Sequence, residues 1–196
     1  MADSDGARRG GILNNVYLFW LILAIPALYI IWGRLTGAKM PYLYWTGLIS
    51  CILLALTLAI TPVMLILRRP LPWLKKRRRY LGVASFGYAA LHTLLWLVNA
   101  NWGKLIGSFT RVDLVAGWAA TGIMVLLAIT SFDRAVDSLG PRWKQLQRWV
   151  YPAAALTLAH WLLTGDNPRT ALMWSLPVIA LEAWRVLRYR RRQAAG

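Results

Sequence analysis

Two histidines are all that the 196 residues contain, and both lie in stretches free of charge. His92 sits inside 80–98, YLGVASFGYAALHTLLWLV, and His160 inside 149–164. A run of about 17–20 apolar residues can cross a bilayer core as a helix. An imidazole at such depth is costly without a partner, which makes each histidine a functional candidate. Each lies twelve residues beyond the basic edge of its stretch, counted from Tyr80 and from Arg148. Two imidazoles at equal depth on two helices suit a planar b-type haem, with one axial nitrogen on each face of the iron. A single intramembrane histidine serves equally well as a hydrogen-bond partner for a neighbouring helix; the matched pair favours the haem. Zinc is disfavoured, because the chain has one cysteine, no third histidine, and acidic residues only near the water interfaces. A proton relay would want buried carboxylates, and the span centres hold none.

The elements that must position these histidines are membrane spans. Hydrophobic residues make up 58% of the chain and come in long runs, the pattern of an integral membrane protein. Six spans are expected, at 15–32, 43–67, 80–98, 113–131, 148–164 and 170–187, forming one all-α transmembrane domain over 1–196. Val16 opens the first run, and no small-residue cleavage site follows it, so it reads as an uncleaved span. Pro26 is expected to kink the first span and Pro177 to interrupt the sixth. Pro70 and Pro72 are expected to stop the second helix and leave 68–79 as a basic loop. Glu182 and Arg185, three apart, are placed to pair on one helix face. The loops 99–112 and 132–147 read as polar, with Leu105, Ile106 and Phe109 able to touch the membrane surface. Cys51 lies in an apolar run, where a small residue on a packed or lipid-facing surface is expected.

The net charge of +16 would suggest nucleic acid if it formed a patch. It does not: the cations cluster between apolar runs, where they orient spans. Of 23 lysines and arginines, 18 fall at the N-terminus, in the second and fourth loops, or from Arg185 onward. The positive-inside rule then places both termini in the cytoplasm. Arg77, Arg78 and Arg79 belong to the strongest basic cluster. They can anchor topology and meet anionic lipid, or neutralise haem propionates or a flavin phosphate. Trp45, Trp73, Trp102, Trp143, Trp149 and Trp174 fall near span ends, as an interfacial belt requires. Trp96 and Trp161 stand close to the histidines, where core packing or a cofactor pocket would use them.

Two ordered blocks carry a resemblance. Arg78-Arg79-Tyr80-Leu81-Gly82, then Tyr88 and Leu91-His92, form the first. The second runs Thr130-Ser131, Leu139-Gly140, Arg142-Trp143-Lys144, Leu146, Arg148, Val150-Tyr151 and His160-Trp161. Together they resemble the haem-binding membrane subunits of the bacterial periplasmic methionine-sulfoxide reductase system, the MsrQ/YedZ family of the ferric-reductase-like transmembrane group. The resemblance covers about 78–161. It implies a six-helix inner-membrane protein with heme b, and His92 and His160 match the family's axial ligands. It implies electrons drawn from membrane quinol, or from a flavin such as FMN or a flavin reductase. The implied acceptor is a periplasmic molybdopterin-containing reductase that repairs oxidised methionine. One position departs: Gln147 stands where the family usually has histidine in a Leu-His-Arg block before Val-Tyr.

Two histidines suffice for one bis-imidazole haem. Gln147 precedes His160 by 13 residues, about 20 Å lower on a continuous helix. A flavin or quinone head-group there could use Gln147 with Arg78, Arg79 or Arg148; an ordinary polar residue at a helix start is the plainer role. The expected function is a membrane electron-transfer subunit. A stand-alone ferric or flavin-linked transmembrane reductase is the redox alternative, and a small transporter with two hydrogen-bonding histidines the non-redox one.

Overall fold

The computed structural model describes residues 15–68, 72–165 and 167–194. Among these, nine helices and no strand form the chain. They are α1 (Val16–Leu35), α2 (Tyr42–Leu67), α3 (Pro72–Val98), α4 (Trp102–Gly107), α5 (Val112–Ile129), α6 (Asp133–Leu139), α7 (Pro141–Gln147), α8 (Val150–Thr164) and α9 (Pro168–Ala194). The chain divides into two compact units, Met1–Tyr42 and Leu43–Gly196. In the first, Asn15 caps α1 by accepting from the Tyr17 and Leu18 amides at 2.9 and 3.3 Å. The Tyr42 hydroxyl closes that unit by donating to the carbonyls of Gly33 and Ala38.

Among the described residues, five helices are long and apolar enough to cross a membrane: α1, α2, α3 from Arg77, α5 and α9. The expected fifth span is α8, which at 15 residues is shorter than these. Three expectations are corrected. The basic segment is helical from Pro72 onward rather than a loop to Arg79, because proline is tolerated in a first turn, where its missing N–H costs nothing. The expected 99–112 loop contains α4, and the polar 132–147 loop contains α6 and α7. Pro177 does not interrupt α9, which runs unbroken for 27 residues. Glu182 and Arg185 do pair, at 2.7 Å.

In the second unit large apolar residues lie on both sides, with Leu53, Leu54, Leu58, Leu81, Met124 and Leu127 buried, but small residues hold the closest helix contacts. Leu56, Ile66, Leu94, Leu126, Leu176 and Ile179 face outward, while Ala116, Ala120, Ala153, Ala171, Thr46, Ser50 and Ser85 are buried. Lipid tails are as apolar as leucine, so large side chains can face outward at no cost, and small buried ones let backbones approach. α2 and α3 run antiparallel and are joined by a reciprocal pair. Ser50 Oγ donates to the Ser85 carbonyl and Ser85 Oγ to the Ser50 carbonyl, both at 2.9 Å. α5 packs most extensively on α8. Their far ends are tied through α7, where Trp143 Nε1 donates to the Thr130 carbonyl at 2.8 Å and Gln147 Nε2 to the Leu127 carbonyl at 3.3 Å.

Candidate functional site

Both histidines face one cleft of about 610 Å³ between α2, α3, α5 and α8. The size falls in the range of cofactor and ligand pockets. His92 reaches it from near the C-terminal end of α3, and His160 from the last turns of α8. Their ring centres are 6.4 Å apart and their planes cross at 80°.

Each ring is held in the same way. His92 Nδ1 lies 2.9 Å from the Leu43 carbonyl in the first turn of α2, with the buried Thr46 hydroxyl at 3.4 Å. His160 Nδ1 lies 2.7 Å from the Asp113 carbonyl in the first turn of α5. A carbonyl only accepts, so Nδ1 carries the hydrogen in both rings. In a neutral imidazole the lone pair is then on Nε2, the nitrogen a metal would take. Four residues after each carbonyl comes a glycine against the ring. A Cβ on Gly47 would stand 3.2 Å from His92 Nδ1 and 3.3 Å from its Cε1. A Cβ on Gly117 would stand 3.0 Å from His160 Nδ1 and 3.1 Å from its Cε1.

Trp96, Trp161, Ala89, Cys51 and Met124 also line the cleft. Trp118 closes one side: it stacks on Phe109 at 5.7 Å, meets Trp96 edge-on at 6.1 Å, and donates from Nε1 to Ser108 Oγ at 3.0 Å. Two cations line the cleft at the α4 end, Lys104 and Arg111. Arg111 grips the Asp113 carboxylate with Nε at 3.2 Å and a terminal nitrogen at 2.6 Å. That hydrogen bond, and then the opposite charge, raise the guanidinium above its usual pKa.

The other expected site residues lie elsewhere. Arg77 is buried and stands over the Tyr80 ring at 5.6 Å. Arg78 donates to Thr61 Oγ1 at 3.0 Å, and Arg79 pairs with Asp133 at 2.6 Å. Gln147 binds the end of α5, and Arg148 is exposed. None of these five lines the cleft. Fifteen residues of helix separate Arg77 from His92, a rise of about 22 Å. Sequence reasoning missed Gly47, Gly117, Lys104 and Arg111. The two cations had a visible signal, being the only ones in the 99–112 loop. Of the belt tryptophans, Trp45, Trp73, Trp102 and Trp149 are exposed as expected, whereas Trp143 is tied to α5.

The separation of the ring centres suits one metal bonded to both imidazoles. Bonds of about 2 Å each, with each ring centre roughly 1 Å behind its nitrogen, set the centres about 6 Å apart. Among the described residues no three His, Cys, Asp or Glu side chains gather to hold a bare ion. A macrocycle that brings its own in-plane ligands needs only the two that are here.

Residues 46–158 match the family described as the ferric reductase like transmembrane component. The chain is similar to the protein-methionine-sulfoxide reductase heme-binding subunit MsrQ of Cronobacter sakazakii, 36% identical over 156 residues and 76% of each chain. It is 31% identical to that of Bordetella pertussis over 161 residues, 77% of this chain and 76% of the relative. With that of Brucella ovis it shares 28% over 204 residues, 96% and 90% of the two chains. No solved structure matches the chain.

Proposed function

The chain belongs to the ferric-reductase-like transmembrane family, and on that footing we propose that it is a membrane electron-transfer subunit holding one b-type haem between His92 and His160. The observation that carries this reading is the pair of imidazoles, 6.4 Å apart, each with Nδ1 committed to a backbone carbonyl. Bound there, a haem supplies one-electron chemistry. The chain supplies the two ligands, a hydrophobic shell, and Lys104 with Arg111 at the end where carboxylates would be neutralised.

The relatives are named heme-binding subunits of a protein-methionine-sulfoxide reductase, which supports a finer reading in which electrons go to such a reductase; the partner proposed here is a periplasmic molybdopterin-containing one. In a bacterial inner membrane with both termini cytoplasmic, α2 and α5 begin at the periplasmic face. The cleft then opens toward that partner, and Arg77–79, Gln147 and Arg148 lie at the cytoplasmic end. Electron transfer falls steeply with distance, and about 22 Å of helix lies between the two levels. A membrane-dissolved quinol can approach the cleft laterally. A flavin such as FMN held near Gln147, Arg78 and Arg148 would shorten the step from a soluble donor.

Purified protein decides the central claim. The dithionite-reduced spectrum is expected to show sharp low-spin b-type bands at one haem per chain. His92→Ala and His160→Ala should each abolish them, since one imidazole leaves the iron with an open position. A colourless protein, or either variant with an unchanged spectrum and full haem content, refutes the assignment.

A further inference from the structure

The two rings are supported by the same backbone arrangement, repeated on helices that are far apart in sequence. In α2 the carbonyl is on the second residue, Leu43, and the glycine on the sixth, Gly47. In α5 the carbonyl is on the second residue, Asp113, and the glycine on the sixth, Gly117. One helical turn separates carbonyl from glycine, so both point along the same face. Each imidazole therefore rests on bare backbone while its Nδ1–H is taken by the turn above.

We infer that Gly47 and Gly117 are positioning residues, whose missing side chains let each carbonyl capture its imidazole and hold the two rings crosswise. This rests on the haem reading above. Any side chain at these positions pushes the ring away from the helix that also carries its acceptor. The Nδ1–H···O=C bond must then lengthen or the ring must rotate. A shorter bond of this kind raises the basicity of the ligating nitrogen and so favours the ferric state. A weakened one moves the reduction potential in the positive direction. The two beds are unequal: Gly117 is the tighter, and His92 keeps a second acceptor in Thr46. The larger effect belongs to Gly117.

The 80° crossing of the rings gives a readout independent of activity. Perpendicular axial imidazoles leave the iron d-orbitals nearly degenerate, and a low-spin ferric haem then gives a strongly anisotropic paramagnetic resonance signal. Near-parallel rings give an ordinary rhombic one. The unmodified full-length protein in detergent should show the anisotropic signal. Gly117→Ala should change the anisotropy and shift the potential positively, and Gly47→Ala should do the same by less. Gly122→Ala on α5 and Gly87→Ala on α3, where a Cβ meets nothing within 4 Å, should leave both unchanged. A rhombic signal from the unmodified protein overturns the inference without any variant. So does a wild-type signal and potential in both Gly47→Ala and Gly117→Ala, or equal shifts in the two control variants. If Gly117→Ala fails to accumulate, Gly47→Ala decides. Absence of low-spin haem in the unmodified protein is a separate failure, that of the haem reading itself, and takes this inference with it.

Discussion

Removing the hydroxyls of Ser50 and Ser85 tests how the cleft keeps its shape. Ser50 lies seven residues after Leu43, and Ser85 seven before His92. Two antiparallel helices rise equally over seven residues, about 10 Å. The reciprocal serine pair therefore sets the register that brings the Leu43 carbonyl to His92. Ser85 is fully buried and Ser50 nearly so. Ser85→Ala removes one 2.9 Å bond and one 3.4 Å hydroxyl contact. The Ser50 carbonyl keeps its helical N–H, so no buried acceptor is orphaned. Interhelical bonds of this kind in a membrane average about 0.6 kcal/mol and reach about 1.7. Each single alanine variant should cost about that much, and the double variant about 1–3 kcal/mol. Ser85→Val adds overpacking of about 1–3 kcal/mol. It should also spread the helices and weaken the His92 bond. Reversible unfolding in mixed micelles, followed by haem absorbance and helicity, measures both effects. A double alanine variant as stable as wild type refutes the register argument. A single variant losing more than about 4 kcal/mol refutes the claim that no polar group is orphaned.

Ala153→Leu should have the corresponding effect on the other helix pair. Ala153 is fully buried in α8, seven residues before His160, and the added volume must push α8 from its neighbour. A stability loss of about 1–3 kcal/mol with reduced haem retention is expected on thermal unfolding; full retention would place the α5–α8 contact elsewhere. Asp133→Asn removes the partner of Arg79, but that carboxylate is 82% exposed. Exposed pairs contribute about 0–1 kcal/mol, so stability should change by less than that in the same unfolding measurement. A larger loss would mean that the pair is shielded by lipid or by a partner.

The histidines were legible in the sequence because residue type and depth in an apolar run are one-dimensional properties. Equal offsets from Tyr80 and Arg148 were enough to place the two rings at one level. The all-α membrane architecture was legible for the same reason, from run length. The basic segment was misread because proline was weighed as a helix stop at 72, where α3 in fact begins; Pro70 lies outside the described residues. The first-turn tolerance of proline is a matter of which N–H would otherwise be unpaired, and that depends on where the helix begins. The glycines were hidden for a different reason. Gly47 and Gly117 resemble the other span glycines until a neighbouring helix is placed against them. Gly87, five residues before His92 on the same helix, faces open space instead.

Once the pairing of helices is known, the same sequence reads as two copies of one arrangement. A carbonyl on the second helical residue, a glycine four later and a small buried residue three beyond that appear as Leu43, Gly47, Ser50 and as Asp113, Gly117, Ala120. Their partners are His92 with Ser85, and His160 with Ala153, seven residues apart in each case. In α2 and α3 the small residues hydrogen-bond across the interface; in α5 and α8 the corresponding positions are alanines, and close packing there joins the His160–Asp113 bond in setting the register. The second bed is accordingly the one with the shorter Nδ1 contact and the closer glycine. Two imidazoles held from two different helices need not share a plane, and here they do not. Each ring is oriented by the carbonyl and glycine of its own neighbouring helix, so a substitution that tilts one helix pair should change the angle between the rings before it changes stability.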